Sequence, residues 1–227
     1  MTDPTLAERH PWIAWVVPFA VFMLLLGVVP GLGLPARLDA ALRVGVPALA
    51  ILLVARPALD FGVARPLATV GVGIAVFALW IGPDLLVPGY RAHVLFQNAL
   101  TGTTESGVPA AVRSDPVILS LRFLRGAMVV PIVEELFWRG WLPRWLDRPD
   151  DFRAQALGSF TRFSFWATAV LFALEHGAYW DVGFLAGLIY NWWMTRTRRI
   201  GDLILCHAVT NACLGVYVLL SGRWGYW

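Results

Sequence analysis

The sequence predicts an all-α fold, a polytopic transmembrane helical bundle with about seven spans and room for an eighth. Hydrophobic residues make up 58% of the 227 residues and charged residues only 15%, whereas soluble domains average about 45–50% apolar and about 25% charged. Apolar stretches near the length of about 20 residues that a bilayer crossing requires also recur along the whole chain. We therefore expect residues 1–227 to form a single membrane-embedded domain.

The candidate spans follow one another with short polar connections. The stretch 88–115 is punctuated by Gly, Thr and Pro and mixed in polarity, so it is predicted to be an extramembrane loop, the one place where an eighth span could lie. The stretch 143–155 is the most charged and is predicted to lie outside the hydrocarbon. The candidate spans, of which the second and sixth are short, are 11–31, 39–55, 66–87, 117–141, 160–178, 180–195 and 200–221.

Arginine placement predicts the orientation, because cytoplasmic loops of membrane proteins carry an excess of basic residues. With seven spans, the side of the N-terminus holds more arginines than the other side, so the N-terminus is predicted to be cytoplasmic. No basic run suggests a nucleic-acid partner; the expected partner is the lipid bilayer. The arginines on the N-terminal side are Arg9, Arg56, Arg65, Arg144, Arg148, Arg153, Arg196, Arg198 and Arg199, against Arg37, Arg43, Arg91, Arg113 and Arg223.

The fourth span contains charged residues where charge is expensive. Each ionisable side chain inside a membrane segment costs roughly 2.5–3.5 kcal/mol on insertion scales, yet the stretch PIVEELFWRGW holds Glu134, Glu135 and Arg139. Glu135 and Arg139 are four residues apart and can pair on one helix face. Glu134 is rotated by about 100° from Glu135, so it is predicted to face a different environment.

Two later spans add polar residues at helical spacing. Phe172 and His176 lie one turn apart in LFALEHGAYW, and His207 and Asn211 lie one turn apart in ILCHAVTNACLG. Any one of these residues is commonly an interhelical hydrogen-bond partner. Together with Glu134 they form a set able to activate water and to stabilise an oxyanion, so the sequence predicts a hydrolytic site.

Three motifs in this order, E-E-x-x-x-R, F-x-x-x-H and H-x-x-x-N, resemble those of the CAAX prenyl endopeptidase and bacteriocin-processing family of glutamic-type intramembrane proteases. The resemblance covers 117–215, which we take as the protease core. The size and style of the chain also resemble the bacterial CAAX-protease-related proteins that accompany exosortase sorting systems. That likeness implies an integral protein of the bacterial inner membrane.

The resemblance implies a role for each motif residue. Glu134 is expected to be the general base that activates water, and His176 to orient that water. His207 and Asn211 are expected to donate hydrogen bonds to the oxyanion of the tetrahedral intermediate. Glu135, Arg139 and Phe172 are expected to support them, and the substrate is expected to be a membrane-anchored protein or peptide. These roles need no metal and no cofactor.

Other hydrolytic mechanisms require different sets of residues. Two histidines and a glutamate can hold a catalytic zinc ion, so a zinc-dependent protease stays an alternative, although the HExxH arrangement is absent. An aspartic protease would need two aspartates inside spans, and only Asp202 lies near one. A serine protease would need a GxSxG-like serine, a setting that no serine here has.

Two classes other than proteases also fit the composition. A non-proteolytic immunity or scaffold protein could bind a peptide in the same cavity. A transporter would also carry intramembrane charges, although no internal repeat of the kind common in transporter folds is visible. The retained motif positions favour the protease.

Two further pairs of charged residues flank the motifs. Arg122 and Arg125, three residues apart, begin the fourth span; they either snorkel to the interface or clamp a substrate carboxylate. Glu175 and Asp181 flank the second motif and could tune His176, but their spacing does not single out either one.

One geometric requirement follows from the predicted span ends. At 1.5 Å per residue, Glu134 would lie about 10 Å from the end of a span that stops near 141, whereas His176 would lie at the far end of a span that starts at 160. The two residues can share a water only if the 160–178 span starts later or if a common cavity reaches past the middle of the membrane.

Overall fold

The computed structural model describes residues 9–104 and 108–227, and within these ranges the chain is helical and contains no β-strand. The all-α prediction is confirmed. The N-terminal tail that we predict to be cytoplasmic, residues 1–8, lies outside the described residues. Seven helices follow in order: α1 Ile13–Leu32, α2 Ala36–Ala58, α3 Pro66–Leu86, α4 Pro116–Asp147, α5 Arg162–Glu175, α6 Trp180–Thr197 and α7 Ile200–Ser221.

Five of these helices, α1, α2, α3, α4 and α7, are long and apolar enough to cross a membrane. The chain is therefore an integral membrane protein. Helix α5 has 14 residues, about 21 Å, which is shorter than a hydrocarbon core of about 30 Å. The predicted 160–178 span is thus too long, and a count of seven full spans is not confirmed. The described part of 88–115 forms only short turns, such as Tyr90–Ala92 and Ala110–Val112, and no eighth helix.

Helix α4 is a rod of 32 residues that contains two π-helical turns, Arg125–Val129 and Leu136–Trp141. A proline, Pro131 or Pro143, follows each turn within two residues. Proline lacks the N–H that continues an α-helical ladder, and a π turn is one way in which a helix accommodates the break.

The rod ends at Asp147 rather than at 141, so the first residues of the 143–155 stretch continue the helix. Arg144 is buried there. Its guanidinium donates to the Gly140 carbonyl and lies 4.5 Å from the Trp15 ring centroid and 5.0 Å from that of Phe152. The aromatic faces offset part of the loss of water around the charge.

The α3–α7 pair forms a close contact in the bundle. A methyl group at Gly73 would come within 2.5 Å of the Cys206 carbonyl oxygen, so only glycine fits there. The Thr210 hydroxyl, hydrogen-bonded to the Gly73 carbonyl at 2.9 Å, ties the two helices at the same level. Close backbone approach through glycine is a common route to helix packing in membranes.

The α5–α6 hairpin contains the small-residue contact expected from GFLAG. A Cβ at Gly187 would lie 3.2 Å from the Ala169 Cα, and a Cβ at Gly183 would lie 3.1 Å from the His176 Cβ. The turn Gly177–Tyr179 joins the two helices directly after His176. The glycines therefore hold α6 against the histidine of the second motif.

Arg91 ties together the end of the bundle at which α4 begins. Its guanidinium donates to Asp181 at the start of α6, to Asp84 near the end of α3 at 3.1 Å, and to the Ala178 carbonyl at 2.8 Å. The Tyr226 hydroxyl donates to Asp84 at 2.6 Å. The 88–104 loop, the C-terminal turn and the turn after His176 are thus connected through one buried arginine.

Asp202 connects α7 to the start of α3, and its loss is expected to destabilise the bundle. It is fully buried and accepts hydrogen bonds from the Ala64 N–H at 2.7 Å, the Arg65 N–H at 3.2 Å and the Thr69 hydroxyl at 2.6 Å. Because Asp202→Ala leaves these donors without their acceptor, it should lower the free energy of unfolding by about 3 kcal/mol. Denaturant unfolding in micelles measures this, and the exposed Asp150→Ala is the control with little change.

Candidate active site

The centre of the site is a buried ion pair on α4. The Arg139 Nη1 donates to the Glu135 Oε1 at 3.0 Å, and both side chains are within 1% of complete burial. The one-turn pairing predicted from the first motif is therefore present. A charge in such a place is tolerated when an opposite charge and hydrogen bonds accompany it.

Arg139 is held from three further directions. Its Nε donates to the Asn191 Oδ1 at 3.2 Å, and its guanidinium carbon lies 4.2 Å from the Phe172 ring centroid and 5.1 Å from that of Tyr190. Phe172, which the second motif offered as a supporting residue, lies directly on this cation. Asn191 and Tyr190 were missed from the sequence; the only signal was a polar amide inside an apolar span.

The same Glu135 oxygen also binds the third motif. The His207 Nδ1 lies 2.8 Å from the Glu135 Oε1. Since an ionised carboxylate oxygen can only accept, Nδ1 carries the proton. The other nitrogen, Nε2, then points to Glu134, whose Oε2 lies 4.0 Å away. His207 therefore connects the two adjacent glutamates, which face different surroundings as expected.

Glu134 and His176 line one cavity of about 300 Å³. Glu134 is 5% exposed, and its Oε2 is a buried oxygen without a hydrogen-bond partner among the described residues. Glu134 and His176 can therefore reach the same water molecule, which the predicted span ends had required of a common cavity. The cavity is lined by Phe22, Met23, Leu26, Arg122, Arg125, Gly126, Val130, Glu134, Glu175, His176, Tyr226 and Trp227.

The lengths of α4 and α5 explain how these two residues meet. Because α4 runs to Asp147, Glu134 lies about 20 Å from that end of its helix. His176 lies about 20 Å from the start of α5 at Arg162, and Thr161, which precedes Arg162, is hydrogen-bonded to Asp147 at 2.7 Å. The depths therefore agree, and the error lay mainly in the predicted end of the fourth span.

His176 is oriented by its own helix. Its Nδ1 lies 2.7 Å from the Phe172 carbonyl oxygen, an acceptor, so Nδ1 carries the proton and Nε2 of the neutral ring is an acceptor. The ring centroid lies 4.6 Å from that of Phe172 and 5.1 Å from that of Trp80. The one-turn spacing of the second motif thus fixes both the tautomer and the ring plane.

Asn211 lies one turn beyond His207, but its contact is with the backbone. Its Nδ2 donates to the Gly126 carbonyl at 2.9 Å, inside the first π turn of α4. Neither Asn211 nor His207 is among the residues that line the 300 Å³ cavity. The structure therefore places Glu134 and His176 on one cavity wall and His207 beside Glu134, whereas Asn211 turns to the backbone with one amide hydrogen not used by Gly126.

Glu175 is a second carboxylate on the cavity wall. The Trp138 Nε1 donates to the Glu175 Oε2 at 2.8 Å. Trp138 follows Glu134 by four residues on α4, so the indole holds Glu175 close to the first motif. Asp181, the other flanking acid, is turned away and bound by Arg91 and by the Tyr90 hydroxyl at 2.9 Å.

Arg122 and Arg125 lie where the catalytic cavity meets a larger one of about 490 Å³. The larger cavity has apolar walls and includes Asp39 and Arg43, which pair with each other at 2.8 Å. Within residues 9–104 and 108–227, neither Arg122 nor Arg125 forms an ion pair. The Arg122 guanidinium lies 5.9 Å from the Trp227 ring centroid.

His176 and His207 are the histidines of the site that could ligate a metal ion. Among the described residues no group of three His, Cys, Asp or Glu side chains is arranged to hold a metal ion. The Nδ1 atoms of His176 and His207 each face an oxygen acceptor. Each ring therefore has only Nε2 left as a possible metal ligand. Metal dependence itself stays a prediction.

The fold and the site together define a class of protein: a helical membrane bundle with acids and a histidine on one cavity. Residues 116–213 match the family described as Type II CAAX prenyl endopeptidase Rce1-like. The resemblance drawn from the three motifs is thereby confirmed over these residues, and the family implies CAAX intramembrane protease activity. No curated protein and no solved structure matches the chain. The likeness to exosortase-associated proteins stays a prediction.

Removal of Arg139 should test the central ion pair. Arg139→Ala leaves Glu135 buried without its cation, so we expect the free energy of unfolding to fall by about 3–5 kcal/mol. Arg37→Ala is the matched control, because Arg37 pairs with Asp115 at the surface with its side chain 67% exposed, and such a pair contributes under about 1 kcal/mol. Equal losses in both variants, measured by denaturant unfolding in micelles, would contradict the assignment.

Proposed function

We propose that the protein is an intramembrane endopeptidase that hydrolyses a peptide bond of a membrane-anchored protein or peptide with a glutamate-activated water. The observation that carries the proposal is the shared cavity of Glu134 and His176, with the His207 Nε2 4.0 Å from the Glu134 Oε2. Residues 117–215 supply all these groups, and we take them as the catalytic core of a single domain that spans residues 1–227.

Glu134 is suited to be the general base. Its carboxyl group lies on the cavity wall, where it can accept a proton from a water molecule. Glu135, in contrast, is bound through its Oε1 by Arg139 and His207 and is not among the residues that line the cavity. Glu134 is therefore the catalytic glutamate, and Glu135 supports Arg139 and His207.

His176 is suited to orient the attacking water. In the neutral tautomer set by the Phe172 carbonyl, Nε2 accepts a hydrogen bond. A water that donates one hydrogen to His176 and the other to Glu134 presents an oxygen lone pair to the substrate carbonyl. Such positioning supplies much of the advantage of an enclosed site.

His207 is suited to stabilise the oxyanion. When its ring is an imidazolium, Nδ1 donates to Glu135 and Nε2 carries a second donor on the side of Glu134, whose Oε2 lies 4.0 Å away. The Glu135 carboxylate supports that charge, as the buried aspartate does in a catalytic triad. Asn211 offers its remaining amide hydrogen as a second donor, which requires its side chain to turn from Gly126 toward the substrate.

Replacement of the base is the direct test. Glu134→Gln keeps the shape and loses the base, so cleavage should fall by at least about 10²-fold, while insertion and thermal unfolding stay unchanged. The measurement is comparative proteomics of membrane-protein termini in cells with the wild-type or variant protein. His207→Ala should also lower cleavage, since one oxyanion donor contributes about 2.7–4 kcal/mol in other hydrolases.

The same experiment separates the alternatives. A scaffold or immunity protein would keep its biological effect in the Glu134→Gln variant, and retained proteolysis in that variant would contradict the proposal. Repetition with purified protein treated with a metal chelator separates the metal-free mechanism from the zinc-dependent one, because only the latter loses activity. Asp150→Asn, an exposed acid outside the cavity, is the matched control.

Arg122 and Arg125 suit the binding of an anionic group on the substrate. They lie about 13–18 Å before Glu134 along α4, at the junction of the two cavities. A guanidinium with no acidic partner can bind a carboxylate with two parallel hydrogen bonds. A peptide could then extend from the arginines to the catalytic water.

Carboxylate binding by Arg122 and Arg125 is tested with a pair of peptides that differ only at the C-terminus. With the double variant Arg122→Gln/Arg125→Gln, KM for a peptide with a free C-terminal carboxylate should rise about tenfold or more, because a charged hydrogen bond is worth about 1.5–3 kcal/mol. KM for the C-terminally amidated peptide should stay unchanged. An equal rise for both peptides would show that the arginines only support the helix.

A further inference from the structure

Hydrolysis by Glu134, His176 and His207 also requires a group that protonates the leaving amine. Peptide hydrolysis releases an amine, and the nitrogen must gain a proton as the C–N bond breaks. His176 in its neutral tautomer has its proton on Nδ1, bound to the Phe172 carbonyl. Its cavity-facing nitrogen therefore accepts and has nothing to donate. A second acid on the cavity wall would let Glu134 stay with the attacking water while the amine gains its proton.

Glu175 is placed to fill that need. It lines the same cavity as Glu134 and His176. The Trp138 indole fixes its Oε2 at 2.8 Å, and no described hydrogen bond uses its Oε1. The carboxyl is thus held by one oxygen and leaves the other for the cavity.

The surroundings favour one shared proton between the two acids. Glu134 and Glu175 line the same cavity, and two carboxyl groups that share one site hold a proton between them more readily than they both ionise. The charge of Arg139 is already balanced by Glu135. The other charged or titratable groups that face the cavity are Arg122, Arg125, His176 and Tyr226.

We propose that Glu175 is the general acid that protonates the leaving amine in the reaction proposed above, on which this inference rests. Water adds its oxygen to the carbonyl carbon and gives a proton to Glu134. The C–N bond then breaks, its electron pair goes to nitrogen, and nitrogen takes the proton of Glu175. Proton transfer from Glu134 to Glu175 through cavity water restores both groups, so one water is consumed.

The test compares two peptides that differ only in the leaving group of the scissile bond. The probes are the cleavage-site peptide mapped by the terminus proteomics and its analogue with a thioester at the scissile bond. A thiolate can leave without being protonated, whereas an amine nitrogen must gain a proton as the C–N bond breaks. Glu175→Gln keeps an oxygen that can accept from Trp138 and loses the acid.

We expect Glu175→Gln to lower kcat for the amide by about 10²–10⁴-fold and kcat for the thioester by less than about threefold. Retained thioester hydrolysis also shows that the variant is folded. Equal loss on both bonds, or no loss on either, overturns the role of Glu175. Glu134→Gln should lower hydrolysis of both bonds; if it lowers neither, the proposed function itself fails, whatever Glu175→Gln does.

A second variant guards against a purely structural effect. Trp138→Phe keeps an aromatic ring beside Phe172, whose centroid lies 5.8 Å away, and removes the donor to Glu175. It should lower kcat for the amide with a smaller effect on the thioester, in the same direction as Glu175→Gln. Asp150→Asn should change neither rate, because it lies outside the cavity.

Discussion

The buried pair of Glu135 and Arg139 is the interaction on which the rest of the site depends. A guanidinium deep in an apolar bundle requires a carboxylate, hydrogen-bond acceptors and aromatic faces to offset its desolvation. Glu135, Asn191 and Phe172 meet that requirement from α4, α6 and α5. Because Glu135 also binds His207 on α7, one ion pair sets the relative positions of the helices that bear the three motifs.

That arrangement separates two chemically identical side chains. Glu134 and Glu135 are neighbours in sequence, yet Glu134 lines the cavity, whereas Glu135 is bound by Arg139 and His207 and does not line it. The rotation of about 100° per residue in a helix produces this difference. The π turn that begins at Leu136 lies directly after the pair, as such turns often do at functional sites.

Much of the fold and site could be predicted from the sequence, because helical spacing is a local property. The pairs Glu135–Arg139 and Phe172–His176 form as the spacing indicated. The predicted ends failed at α4, where 141 appeared to end a span, because Arg144 is buried through contacts with Trp15 and Phe152. A charged side chain at the end of an apolar stretch predicts the membrane–water interface. Aromatic partners distant in sequence can instead hold that side chain inside the bundle.

The sequence by itself determined that the chain is a helical membrane protein and which polar residues are costly enough to need a purpose, since composition and the price of intramembrane charge require no knowledge of neighbours. Only the tertiary structure decided which acids share the cavity. Glu175 and Asp181 looked alike beside His176, but Trp138 holds the first at the cavity wall while Arg91 binds the second. The reason is physical: the field and hydrogen bonds at a carboxylate come from helices that are far apart in sequence and meet only after packing.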